Sequence, residues 1–129
     1  MPFNKLHVPE TLPKEMCAAI NQQLHDSLVE MCGSNPDDNF CLVCRYPSHD
    51  MMLHPDFLGK RDPAATIIIE ITLLAGRIDD AKEALFTDVR QRLRKIGFNP
   101  ENSIMFLHEN NPIDWSFSEA GSVKKVLGL

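Results

Sequence analysis

Residues Thr66 to Arg77 read TIIIEITLLAGR, and this stretch decides how the chain folds. From Thr66 to Leu73 every residue except Glu70 is β-branched or apolar. Such side chains pack well on a pleated surface. A run with so little polar alternation marks a central strand covered on both faces. Ala75-Gly76-Arg77 then forms a tight turn that carries a cation, and a helix follows at once. A guanidinium at the carboxyl end of a buried strand, beside a helix N-terminus, is placed to hold a small anion. An arginine on a surface turn would leave the same sequence.

Around this strand the chain repeats itself. Gly33-Ser34-Asn35-Pro36-Asp37 is answered 64 residues later by Gly97-Phe98-Asn99-Pro100-Glu101, which keeps the glycine, asparagine, proline and acid. The strand starts near Pro2 and Thr66 share this offset, and so do those at Phe40 and Ile104. Before Gly33, Met16, Ile20, Leu24 and Leu28 recur at four-residue spacing on a helix that Thr11 can cap and that runs to about Cys32. Before Gly97, Ala81, Leu85, Val89 and Leu93 mark a second helix from about Asp79 to Ile96. These stripes match only with a slip of one residue. Each half is therefore strand, helix, strand, with halves of about 2–63 and 66–129 in a single domain 1–129.

A helical crossover makes each half a right-handed unit with parallel strands. The expected architecture is α+β: duplicated β-α-β units form one four-stranded mixed sheet with both helices on one face. The other face is left bare although the Thr66 strand is apolar on both sides, which predicts burial against other subunits. If the two first strands lie antiparallel about a pseudo-twofold axis, Pro2 comes near the Leu74–Arg77 corner. Tyr46 to Pro63, with Pro47, Pro55 and Gly59, reads as turns and a short hairpin.

The chain has 129 residues, enough for one domain with a real core. It has no apolar run of membrane-spanning length, no signal peptide and no basic tract, so no membrane partner is expected. The net charge of −5 argues against nucleic acid. Cys17, Cys32, Cys41 and Cys44 lie within apolar segments and read as free thiols of a cytoplasmic protein. Cys41 and Cys44 have the gap of a zinc knuckle, but no second pair accompanies them, and a strand turns them to opposite faces, so no metal is expected.

Proline after an initiator methionine normally permits removal of that methionine. Pro2 would then carry a free secondary amine. The α-amino group has a reference pKa of about 7.7–8.0, and burial or a nearby arginine lowers it. A base poised near the working pH suits proton abstraction next to a carbonyl.

Pro2, the Asn35-Pro36-Asp37-Asp38 turn, Arg77 and Asp114-Trp115-Ser116-Phe117 occur here in an order and spacing that resembles the tautomerase superfamily, whose members use an amino-terminal proline. The resemblance spans nearly the whole chain and is nearest to the malonate semialdehyde decarboxylase subgroup. It implies a homotrimer with the sheets inside, a small carboxylate substrate and no cofactor. It also implies roles: Pro2 as the catalytic amine, Arg77 on the substrate carboxylate, Asp38 as an assisting acid, His25 on the first helix near substrate, and Trp115 with Phe117 as an aromatic wall. A strand-leading turn accounts equally for Asp38, a solvated or satisfied helix histidine for His25, and core packing for the aromatics. Decarboxylase members tend to carry a second arginine near the first, and Leu73 to Gly76 and Ile78 to Asp80 offer none. That favours keto–enol tautomerisation of a 2-oxo acid over decarboxylation of a 3-oxo acid. A binding or signalling role on the same trimer, as in the macrophage migration inhibitory factor branch, is a third reading.

Overall fold

The computed structural model describes residues 1–129. Strands β1 (Phe3–Pro9), β2 (Phe40–Tyr46), β3 (Ile67–Leu74) and β4 (Ser103–Asn110) form one sheet in the order β2-β1-β3-β4. Helices α1 (Lys14–Cys32) and α2 (Asp79–Lys95) are the crossovers of the two halves. β1 pairs with β2, and β3 with β4, in parallel. The two first strands meet antiparallel, from Phe3 opposite Thr72 to His7 opposite Ile68. The duplication read from the sequence is thus the architecture of the sheet.

Strand alternation sorts the side chains. Leu6, Val8, Ile67, Ile69, Ile71 and Leu73 face the helices and are wholly buried or nearly so. They meet Ile20, Leu24 and Leu28 of α1 and Leu85, Val89 and Leu93 of α2 in a single core. Burial of each such aliphatic stabilises the fold by about 1.5–3 kcal/mol. The opposite face, from Phe40 and Leu42 through Ile68 to Phe106, stays partly open within one chain. β3 is therefore central, but a single chain covers only one of its faces.

Some local expectations need correction. Thr11 does not cap α1; Pro13 occupies the N-cap position, and its carbonyl accepts from the amides of Met16 and Cys17. Proline has no amide hydrogen to lose there and presets the chain for the first turn. Gly33 does end α1, in the left-handed conformation with φ 68°. No hairpin forms between Tyr46 and Pro63. A single 3-10 turn at Ser48–Asp50 is followed by irregular chain. Arg61 holds that loop together by donating to the carbonyls of His54 and Phe57, so the loop closes on a side chain and not on strand pairing.

A polar clip joins the helices. Ser27 donates to Asp88 Oδ2 at 2.6 Å, and Arg92 Nε donates to the same oxygen at 2.7 Å. Arg92 also reaches Glu30. Burial alone would raise the Asp88 carboxyl. The bonds from Ser27 and Arg92 outweigh it and hold the group below its ordinary value. Asp88→Ala should lower unfolding free energy by about 1.5–3 kcal/mol near neutral pH, measured by urea denaturation. Because the folded carboxyl titrates below the unfolded one, this contribution is complete above the unfolded value and fades as pH falls below about 4. A gap between native and variant that stays constant into acid would contradict the clip.

Candidate active site

The sheet end that carries the start of β1 also carries the end of α1, the start of β2 and the end of β3. Phe3 pairs with Phe40 on one side and Thr72 on the other, so Pro2 lies between the residues before Phe40 and Leu73. Pro2 is buried. The turn that leads into β2 is made by Asn35, whose side chain accepts from the Asp37 amide at 2.9 Å while its carbonyl accepts from the Asp38 amide at 2.9 Å. This turn aims Asp38 at the chain start. Asp38 Oδ2 lies 3.2 Å from the Met1 amino nitrogen, and its side chain is 14% exposed. Asp38 Oδ1 is buried without a hydrogen-bond partner.

An open cleft of about 570 Å³ lies here. Its polar lining comes from Met1, Asn35, Asp37 and Asp38, and its apolar wall from Phe40, Phe117, Val123, Val126 and Leu127. The wall is built by the C-terminal segment. After β4, Pro112–Asp114 makes a 3-10 turn, the chain crosses towards β2, and a short helix α3 (Val123–Val126) closes over the turn before β2. Ser122 caps α3 by accepting from the Lys125 amide, and the Val123 amide donates to the Trp115 carbonyl at 2.8 Å. Phe117 stacks on Trp115 with centroids 5.8 Å apart and planes 9° apart, and meets Phe40 at 5.3 Å. The Trp115 indole donates to Asn110 Oδ1.

The structure brings Asp38, Phe117 and the start of the chain together. It does not bring all the expected residues to one place. Trp115 stands behind Phe117 and lines a separate, smaller hollow with Phe3, Lys5, Thr72 and Asp114. Arg77 is at the carboxyl end of β3, as read from the sequence, but outside the cleft lining. It donates from Nε to the Cys32 carbonyl at 3.2 Å and from Nη1 to the Leu74 carbonyl at 2.9 Å. These bonds tie the last turn of α1 to the end of β3 and leave Nη2 without a protein oxygen to bond. Gly76, with φ 122°, permits the bend that turns Arg77 back over both carbonyls. Burial raises the Cys32 thiol, and the charge of Arg77 with its hydrogen bond opposes that rise. His25 is 8% exposed on α1, makes no side-chain hydrogen bond and does not reach the cleft.

Val123, Val126 and Leu127 carry no direct sign in the sequence of being wall residues. The signal there is weak: apolar residues at three- and four-residue spacing after a serine cap, in a segment of one helical turn. Cys41 and Cys44, as expected, are free and separated by strand alternation. Burial, with Cys44 and Cys17 adding to it, pushes the Cys41 thiol up to about 11, which makes it a poor nucleophile near neutral pH.

Residues 38–118 match a family model described as "Tautomerase enzyme". The chain belongs to this family. A curated relative, the probable tautomerase YusQ of Bacillus subtilis, is 25% identical over 118 residues, covering 91% of this chain and 93% of that protein. Among solved structures, an FG41 malonate semialdehyde decarboxylase inhibited by 3-bromopropiolate is 28% identical. It has a TM-score of 0.87 and covers 98% of this chain and 95% of that one. A fused 4-OT described as a symmetric trimer has a TM-score of 0.78 at 18% identity, covering 96% and 98% of the two chains, and shows the shared fold.

Trp115 is the only tryptophan, so it reports on the aromatic wall. Phe117→Ala should shift its emission to longer wavelength and cost about 0.5–1.5 kcal/mol of stability for each aromatic pair removed. Unchanged emission would contradict the stacked wall.

Proposed function

We propose that this chain is a cofactor-independent keto–enol tautomerase acting on a small 2-oxo acid with an apolar substituent, and that it works as a homotrimer. The observation that carries the reading is the meeting of the chain start, Asp38 and the Phe40–Phe117 wall in one cleft. Removal of Met1 leaves the secondary amine on Pro2, one residue further along the same path. The neutral amine takes a proton from the carbon beside the substrate carbonyl. The electron pair moves to the carbonyl oxygen, and protonation there gives the enol; the reverse sequence returns the ketone. Asp38 orients the amine. Arg77 stands outside the cleft lining at the end of β3, and takes the substrate carboxylate where it extends beyond the cleft, on the Nη2 edge that its bonds to Cys32 and Leu74 leave free. The five apolar wall residues favour an aryl or alkyl body on the substrate. The trimer is supported by the half-open sheet face and by the likeness to a trimeric fused 4-OT.

One observation favours a second reading, decarboxylation of a 3-oxo acid such as malonate semialdehyde. Asp38 pairs with the Met1 amine, one residue before Pro2, and a carboxylate held that near the processed chain start favours a cationic amine. Decarboxylation is better served by a cationic proline or by an iminium at the substrate carbonyl. The likeness to a malonate semialdehyde decarboxylase points the same way.

The two readings separate in one assay. Protein whose intact mass shows loss of Met1 should convert the enol of phenylpyruvate to the ketone. Pro2→Ala should lower kcat/KM by about 10²-fold or more. Arg77→Ala should raise KM and lower kcat/KM, because ground and transition states both lose the carboxylate contact. No conversion by processed protein, or conversion indifferent to Pro2, would overturn the tautomerase reading. Release of carbon dioxide from malonate semialdehyde would then select the second.

A further inference from the structure

The bare sheet face carries a polar chain that the proposed chemistry does not use. It takes one residue from each strand, in the order of the sheet: Tyr46 of β2, His7 of β1, Glu70 of β3 and His108 of β4. His7 Nδ1 lies 2.7 Å from the Tyr46 hydroxyl. His7 Nε2 lies 2.7 Å from Glu70 Oε1, and His108 Nε2 lies 3.0 Å from Glu70 Oε2. One assignment of protons satisfies all three contacts. The Tyr46 hydroxyl donates to His7 Nδ1, and both histidines donate from Nε2 to an ionised Glu70. In that state both imidazoles are neutral, and Lys5, opposite Glu70 in the β1–β3 register, adds a weaker attraction to its charge.

Apolar side chains flank the chain. Phe40, Leu42 and Phe106 are 43%, 51% and 40% exposed, and Phe106 packs its ring edge to face against His108 at 5.1 Å. A face that mixes exposed aromatics with a fully paired polar chain is suited to burial against other copies of itself. Such burial removes the water that would otherwise solvate an extra charge.

We propose that the Tyr46–His7–Glu70–His108 chain is a pH-operated part of the face through which copies of this protein assemble, closed when its imidazoles are neutral and loosened when they gain protons. The inference rests on the trimer reading above. A proton on His7 Nδ1 reverses the bond to Tyr46 and leaves the hydroxyl hydrogen without its acceptor. Glu70 supplies a single negative charge, already shared with Lys5 opposite it, so protons on both imidazoles leave the buried face with a net positive charge. The other ionisable groups facing this network lie at its rim: Asp50 beside His7 in the hollow with Met51 and Leu53, and Asp114 beside Lys5. Both are exposed and screened by solvent. The Cys44 thiol on β2 shares the face and is uncharged as a thiol. The hydrogen bond from His7 holds the Glu70 carboxyl below its ordinary value against burial, aided by the bond from His108. Glu70 therefore stays ionised where histidines as a class change charge, between about pH 5 and 8.

Sedimentation equilibrium tests this on three proteins: the native chain, His108→Gln, and the double variant His7→Gln with His108→Gln. Glutamine keeps an N–H for Glu70 but cannot take a proton. The native trimer should dissociate at least about tenfold more readily at about pH 5.5 than at about pH 7.5. The double variant should lose most of that dependence and the single variant part of it. His108 is half exposed, so the single variant folds and gives a result even where the double does not. A native trimer equally stable at both pH values, or a folded variant with the native dependence, would overturn this inference alone. A native monomer at about pH 7.5 would overturn the trimer reading as well.

Discussion

The antiparallel pairing of β1 with β3 is the contact on which the rest depends. Each half of the chain is a parallel β-α-β unit that can cover only its own strands with its own helix. When Phe3 pairs with Thr72 and His7 with Ile68, the two units share one sheet and both helices fall on the same side. The core then closes between Ile69, Ile71 and Leu6 of the sheet and the leucines of α1 and α2. The same pairing leaves the opposite face bare and brings His7 next to Glu70. It also brings the start of one half to the end of the first strand of the other, so Pro2 arrives beside Leu73 and near the turn that carries Arg77.

That constraint was legible because duplication and alternation are both local signals. The repeated Gly-x-Asn-Pro-acid segment at Gly33 and Gly97 set the period, and the apolar run at Ile67–Leu73 set the central strand. What could not be read were features closed by side chains. Arg61 organises the 47–63 loop through two carbonyls, and no periodicity announces such a bond. Pro13 replaced Thr11 as the start of α1 because backbone geometry, and not side-chain oxygen, settled the boundary. The C-terminal wall was invisible for a related reason. Val123, Val126 and Leu127 matter only because the Trp115–Phe117 stack leads the chain across to β2.

The candidate site was legible in part. Pro2, Asp38 and Phe117 were picked out in sequence and lie at one end of the sheet. Arg77 was expected to face the amine directly. In the structure Asp38 is the charged neighbour of the chain start, while Arg77 is held by the carbonyls of Cys32 and Leu74. The two influences act in opposite directions. A carboxylate favours a cationic amine, whereas burial of Pro2 and a nearby guanidinium favour a neutral one. Which side prevails decides whether the amine serves as a base.

The most direct test is therefore to titrate the Pro2 amine itself, by nitrogen NMR on protein labelled with ¹⁵N-proline and freed of Met1. The account predicts deprotonation at or below the ordinary α-amino value of about 8, leaving a usable fraction of neutral base near neutral pH. An amine that stays protonated beyond about pH 9 would contradict the proline-base claim and assign the site to chemistry that runs on a cationic proline.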